Sequence, residues 1–138
     1  MDQNTPFIDA NIFLRFLVFD QKNPHLSQKA KYIIKQIQDG KIKVQIHILT
    51  VAEIIFVLEH FYEVGKAEIR EKLEPLLALE HVINPEKAVI FETLRLYSDL
   101  NVDFADCYTY AVMNKVGVKE IYTFDTTHFK RFTDVKIW

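Results

Sequence analysis

The sequence has little of several residue types, and each scarcity excludes a class of protein. A single cysteine, Cys107, rules out an internal disulfide and a zinc site built from several cysteines. With three glycines and four prolines, the chain has no low-complexity linker, and no domain boundary is visible. Its 138 residues, 49% of them apolar, are therefore expected to form one domain, residues 1–138, around a single core in which Cys107 is a small buried side chain.

Excess charge of either sign is also missing. The 17 basic and 19 acidic side chains give a formal net charge of −2. Salt-dependent, sequence-independent binding to a polyanion is therefore not expected as the main function. A nucleic-acid enzyme stays open, because a bound metal ion can supply positive charge where phosphate binds.

Long uncharged apolar runs are absent as well. The first residues are not basic and the first apolar run contains Arg15, so no signal peptide is expected. The apolar stretch 44–64 is interrupted by charged or titratable residues, which argues against a membrane span. These residues are His47, Glu53, Glu59, His60 and Glu63. We expect a soluble, cytoplasmic protein without a membrane segment.

The sequence does contain short apolar strand patterns that alternate with amphipathic helix patterns. Strands are predicted at 6–8, 43–48, 81–83, 120–124 and 135–138. Helices are predicted at about 12–19, 27–38, 50–65, 67–79, 84–100 and 103–117, with a kink or break at Pro75. This alternation predicts an α/β fold with a parallel sheet flanked by helices.

Four carboxylates fall at equivalent places in this pattern. Asp9 and Asp125 each end an apolar strand, and Glu53 lies in the first turn of the helix that follows a strand. Asp106 lies in the first turn of the helix that leads into the strand at Ile121. Because helices run opposite to the strands in a parallel α/β layer, all four are expected at the carboxyl edge, where such sheets bind ligands.

Each acid also has an ordinary structural explanation as a helix cap or turn. These explanations are a cap at Asp9 or Asn11, a capping box from Thr50 to Glu53, a cap at Asp103 with Asp106 near the helix dipole, and a turn at Asp125. Taken together, clustered carboxylates repel unless a proton or a cation joins them. Oxygen ligands without cysteine select Mg²⁺ or Mn²⁺, which suits attack of water on a phosphodiester.

The residues that carry these arguments resemble a known family. Four stretches match its motifs in order: Phe7-Ile8-Asp9-Ala10-Asn11, Ala52-Glu53-Ile54, Asp103-Phe104-Ala105-Asp106-Cys107 and Tyr122-Thr123-Phe124-Asp125. They are similar to the motifs of PIN-domain ribonucleases, and the whole chain resembles the toxin of a VapBC toxin–antitoxin pair.

The resemblance implies a fold, a site and partners. The fold is a three-layer α/β/α sandwich with a twisted parallel sheet of about five strands. The implied activity is Mg²⁺- or Mn²⁺-dependent cleavage of RNA by a homodimer that a small cognate antitoxin inhibits. Metal-coordinating and catalytic roles fall on Asp9, Glu53, Asp106 and Asp125. Supporting polar roles fall on Asn11 and Thr123, and Asp103 is either a further acid of the site or, as we favour, only the helix cap.

The chain departs from the family where a basic residue often follows the last acid. Here Thr126 and Thr127 come first, and Lys130 and Arg131 follow later. Candidates for a phosphate contact are Arg15, Lys130 and Arg131, each of which has a solvated surface position as its alternative. His128 has two interpretations, an approach to the metal edge and, as we favour, a packing role beside Phe129.

Two other functions stay open from the residues alone. A phosphatase of the haloacid-dehalogenase type also begins with a strand-end aspartate, but it needs a second aspartate where Asn11 stands. A non-catalytic binding module would use the acids as caps and the apolar helices as a partner surface. Part of the apolar faces at 12–19 and 54–62 is expected to serve a dimer or antitoxin contact.

Overall fold

Seven α-helices, one π-helical turn and four two-residue strands form in residues 3–138, the part of the chain that the computed structural model describes. Met1 and Asp2 lie outside the described residues. The prediction that the chain begins without a signal peptide concerns these residues in part. The chain divides into two compact units, an N-terminal unit, Met1–Lys87, and a C-terminal unit, Ala88–Trp138. The prediction of one domain over residues 1–138 stays a prediction.

The N-terminal unit alternates helices with short strands. Its elements are α1 (Ala10–Leu17), α2 (Pro24–Gln38), β1 (Val44–Gln45), α3 (Ile48–Phe56), the π-helical turn Val57–Phe61, α4 (Lys66–Leu77) and β2 (Val82–Ile83). Helix α4 continues for two residues past Pro75, so the predicted break does not occur there. Burial of Leu73, Leu76 and Leu77 on both sides of the proline stabilises the last turn.

Strand β1 lies in the middle of the strand pairing in this unit. It pairs in parallel with β2, so that Val44 lies opposite Val82. On its other edge Gln45 forms a single parallel bridge with Phe7, and Ile8 N donates to Gln45 O over 3.1 Å. The strand predicted at 6–8 is therefore present only as a bridge.

Apolar faces of the helices form the core of the N-terminal unit. Helix α1 packs against both α2 and α3. Phe13 of α1, Ile34 and Ile37 of α2 and Ile54 of α3 are each at most 1% exposed. Full burial of such side chains contributes about 1.5–3 kcal/mol each, which holds the strand ends and the helix N-termini in place.

The C-terminal unit contains two long helices, one short helix and one strand pair. Helix α5 (Lys87–Leu100) enters it from the boundary and is followed by α6 (Phe104–Val116), β3 (Glu120–Ile121), α7 (Thr126–Phe129) and β4 (Lys136–Ile137). Strands β3 and β4 pair in parallel, with Ile121 opposite Ile137. Cys107 is fully buried, as predicted.

The predicted α/β class is confirmed, but the strands are shorter than the apolar segments that contain them. Among residues 3–138 they form two parallel pairs and one bridge, rather than the implied sheet of about five strands. Segment 43–48 pairs only at Val44–Gln45 because α3 begins at Ile48. Segment 120–124 pairs only at Glu120–Ile121, and the chain then turns into α7 at Asp125.

None of the helices in residues 3–138 combines the length and apolar character needed to cross a membrane.

Gly117 ends α6 in the left-handed conformation, with φ of +80°, and a Cβ added there would meet no atom within 4 Å. We therefore expect Gly117→Ala to lower the free energy of unfolding by about 1 kcal/mol through backbone strain alone. The control is Gly65→Ala, because Gly65 has φ of −69° and equally open surroundings. Urea unfolding measures both, and equal stability of the two variants would contradict the prediction.

Candidate metal centre

Asp106 lies in the first turn of α6, where the unpaired amides of the helix N-terminus favour a negative charge. Helix α6 begins after Asp103, whose carbonyl oxygen accepts from Cys107 N over 3.0 Å. The side chain of Asp106 is 25% exposed, so it lies at the surface with restricted access to water. The predicted placement of Asp106 in the first helical turn is confirmed.

Asp125 begins the short helix α7 as its N-cap. Its Oδ1 accepts from His128 N over 3.2 Å, so Asp125 caps a helix where its structural alternative was an Asx-type turn. Asp125 N in turn donates to Thr123 Oγ1 over 2.9 Å. Thr123 therefore contacts the backbone of Asp125, as expected of a group that orders it.

The ring of His128 lies among three carboxylates. His128 Nδ1 is 2.7 Å from Asp106 Oδ2, 3.2 Å from Asp125 Oδ2 and 3.9 Å from Asp103 Oδ2. The favoured packing role of His128 is therefore wrong, because its ring contacts carboxylates. The alternative, an approach to the predicted site, agrees with these contacts. The signal that could have found it is Asp125-Thr126-Thr127-His128, in which an N-cap places the histidine one turn later.

These contacts raise the pKa of His128 above its ordinary value of 6.5. The hydrogen bond to Asp106 is the largest cause, partial burial opposes it, and the negative charges of Asp125, Asp103 and Asp106 add to it. The charged imidazolium is therefore more favoured in the folded protein than in the unfolded chain. It partly neutralises three acids that would otherwise repel one another.

We expect an NMR titration of the metal-free protein to show a lower pKa of His128 in Asp106→Asn than in the wild type. The wild-type pKa is raised in the folded state, so its contribution to stability is full below about 6.5, the unfolded value. That contribution is lost as the pH rises through the folded pKa. The control is Asp39→Asn, an exposed position at the end of α2. An unchanged pKa of His128 in Asp106→Asn would contradict Asp106 as the main cause of the raised pKa.

Three of these side chains could hold one cation. Asp103, Asp106 and His128 each offer a ligand atom, and these atoms all lie within 4.8 Å of one another. The two carboxylates fit a hard divalent ion such as Mg²⁺ or Mn²⁺ that keeps several waters, whereas an imidazole ligand suits softer transition metals. The fit requires a deprotonated His128 or a ring that turns away, because an imidazolium offers no lone pair.

Asp103 is the N-cap of α6 by position, but its side chain makes no capping hydrogen bond. Its carboxylate is instead exposed and lies with those of the His128 cluster. The favoured prediction of a helix cap is therefore confirmed for the position of Asp103, but not for its side chain. The alternative, that it is a further acid beside the site, agrees with this position.

Asp9 and Asn11 lie at the start of α1 in the N-terminal unit. Asp9 Oδ1 accepts from Ala10 N over 2.8 Å, so the cap proposed as its structural explanation is confirmed. The preceding residue, Ile8, is buried and fixes the backbone, whereas Asp9 and Asn11 are exposed. One carboxylate oxygen of Asp9 caps the helix, and a carboxylate has further acceptor positions for a second partner.

Glu53 is exposed in the second turn of α3, rather than in the first turn as predicted. The helix begins at Ile48, two residues earlier than expected, with His47 as its N-cap. Thr50 N donates to His47 O over 3.1 Å, so the predicted capping box from Thr50 to Glu53 does not form. The prediction that Asp9 and Glu53 share a site with Asp106 and Asp125 stays a prediction.

Two of the three candidate phosphate-binding cations have protein partners. Arg15 Nε lies 3.4 Å from Asp20 Oδ2, and Arg131 Nη1 donates to the carbonyl of Leu100 over 2.9 Å. Lys130 is exposed after α7. These positions agree with the solvated-surface alternative as well as with a role in phosphate binding.

Comparison with known proteins decides the family. The PIN-domain family model matches residues 7–135, which include every acid of the predicted site. The chain belongs to the PIN-domain family. This PIN domain is also similar to a VapC ribonuclease from Aquifex aeolicus (strain VF5), with 25% identity over 118 residues that cover 85% of this chain and 84% of that protein. The resemblance stated from four short motifs is thereby confirmed.

Proposed function

We propose that this PIN-domain protein is a metal-dependent endoribonuclease and the toxin of a type II toxin–antitoxin pair. The observation that carries the proposal is the group of carboxylates around His128, where Asp106 and Asp125 lie within 3.2 Å of one ring nitrogen. Family membership and the similarity to a VapC ribonuclease supply the reaction class.

Each acid has a proposed role at the cation. Asp106 and Asp125 are direct ligands in the C-terminal unit, and Asp103 and His128 border them. We carry over Asp9 and Glu53 as further ligands from the motifs that match the family. A divalent ion held by these groups would supply positive charge to the scissile phosphate and would lower the pKa of an attacking water.

The residues of the chain position the reactants and handle protons. The first turn of α6 holds Asp106, and the Thr123 contact orders the backbone of Asp125. Carboxylates that are not fully engaged in metal binding can accept the proton of the attacking water. His128 has a raised pKa and a direct hydrogen bond to Asp106, so it can take part in the same exchange of protons.

We further propose the partners and architecture that the resemblance implies. These are a small cognate antitoxin, a homodimer, a cytoplasmic location and a three-layer sandwich with one parallel sheet. The exposed large apolar side chains Leu49, Phe56 and Phe61 on and after α3 support a protein contact there. Expression with the neighbouring reading frame tests for an antitoxin that purifies with the chain.

Incubation of the purified protein with structured RNA tests the activity. We expect cleavage with Mg²⁺ or Mn²⁺ and none with a chelator. The same preparation should release no inorganic phosphate from small phosphate esters, because the second aspartate of a haloacid-dehalogenase phosphatase is replaced by Asn11. Phosphate release without RNA cleavage would favour that phosphatase. Absence of both activities and of divalent-ion binding by calorimetry would favour a binding module.

A further inference from the structure

Three aromatic side chains of the C-terminal unit lie at the surface, two of them just after β3 and one just after β4. Tyr122 is 85% exposed, Phe124 is fully exposed and Trp138 is 56% exposed. We call Tyr122, Phe124 and Trp138 the aromatic platform. Full exposure of large rings is unfavourable in water, so their grouping needs an explanation other than packing in the core.

Two of the three rings, Tyr122 and Trp138, are ordered before any partner binds. The rings of Tyr122 and Trp138 are stacked, with centroids 6.1 Å apart and planes 26° apart. Trp138 Nε1 donates to Glu120 Oε2 over 3.2 Å, which fixes the indole. Lys136 Nζ lies 4.1 Å from the centroid of the Trp138 ring and 3.8 Å from Glu120 Oε1. Flat rings in fixed positions can therefore accept a further ring at little cost in conformational entropy.

The platform is continuous in the chain with the acidic cluster. Phe124 immediately precedes Asp125, whose carboxylate contacts His128. Between the two exposed rings of this segment, Thr123 contacts the backbone of Asp125. A ligand that stacks on Tyr122 or Phe124 therefore contacts the segment that leads directly into one of the proposed metal ligands.

We propose that the aromatic platform stacks unpaired bases of the RNA substrate and positions the adjoining backbone for cleavage. Every base has a π-face, so such stacking tolerates different sequences, and Lys136 supplies a cation for the neighbouring phosphates. Bases within a duplex have their faces covered by their neighbours. The platform thus selects single-stranded loops or ends. The inference rests on the proposed ribonuclease function and names the residues that would hold an unpaired base beside the site.

The test uses Trp138 as a built-in reporter, because the sequence has one tryptophan. A short unpaired oligoribonucleotide is titrated into the full chain with a chelator present, so that binding is measured without cleavage. We expect quenching of the Trp138 fluorescence. The same nucleotides closed into a hairpin stem should bind at least about tenfold more weakly.

Variants connect the signal to the platform. Tyr122→Ala should weaken binding of unpaired RNA about tenfold, as loss of one stacked base does, and Tyr122→Phe should retain it. Anisotropy of labelled RNA provides a second readout, since the substitution also changes the surroundings of Trp138. The control is Tyr32→Ala on α2, where the tyrosine is similarly exposed. In cleavage assays the KM of Tyr122→Ala should rise more than its kcat falls.

The outcomes separate this inference from the proposed function. Weaker binding in Tyr122→Ala supports the platform even if the wild type cleaves no RNA, in which case only the ribonuclease proposal fails. Cleavage by the wild type with unchanged RNA affinity in Tyr122→Ala overturns the platform and leaves the ribonuclease. Three further results overturn the platform. They are equal affinity of the wild type for hairpin stems, absence of RNA binding by the wild type, and a changed oligomeric state of Tyr122→Ala with unchanged RNA affinity.

Discussion

Asp106→Asn should lower the rate of RNA cleavage at least about a hundredfold with Mg²⁺ or Mn²⁺ present, in line with the loss of a charged catalytic group. The substitution preserves shape and removes one negative charge from the cluster around His128. The remaining groups then bind a divalent ion more weakly and accept protons less well. Cleavage rates at saturating RNA and calorimetric affinity for Mn²⁺ measure the two effects separately.

The fold should tolerate this change. An asparagine oxygen at position 106 can still accept a hydrogen bond from His128 Nδ1, which lies 2.7 Å from the aspartate oxygen. Because the side chain is 25% exposed, solvent screens the pair, and we expect a loss of less than about 1 kcal/mol in the free energy of unfolding. Asp39→Asn serves as the matched control with full activity. Undiminished cleavage by Asp106→Asn would remove Asp106 from the site.

Asp9→Asn and Glu53→Gln should each lower RNA cleavage by about tenfold or more, without unfolding the protein. Asparagine caps helices as well as aspartate does, so Asp9→Asn keeps the contact with Ala10 N and removes only the charge. Glu53 is exposed and takes no part in capping α3. A loss of activity with unchanged urea unfolding therefore separates the role of a ligand from that of a cap.

Double variants test whether the acids act as one unit. Groups that serve the same step are strongly non-additive, so Asp9→Asn combined with Asp106→Asn should be little worse than Asp106→Asn alone. The same result is expected for Glu53→Gln combined with Asp106→Asn. Full activity of Asp9→Asn would leave Asp9 as a helix cap only. If the losses of activity of the two single variants multiplied in the double variant, Asp9 and Asp106 would act independently.

Local signals predicted the helices well. The ends of α6 follow from Asp103 before it and from Gly117 after it, where the left-handed conformation suits glycine. Pro75 shows the limit of such signals, because the helix continues past it where Leu76 and Leu77 are buried. The start of α3 was also misplaced by two residues, since no residue with a strong preference for N-caps marks position 47.

The sequence by itself determined the α/β class, the order of its segments, the family motifs and the first-turn position of Asp106. These features depend on residues within a few positions of one another, through periodicity, caps and turns. Only the tertiary structure decided that His128 meets Asp106, 22 residues earlier, and that Asp103 lies with them rather than capping with its side chain. Contacts over such separations depend on the path of the chain between α6 and α7. That path is set by the packing of α6 and by the turn into α7, and no local pattern encodes it.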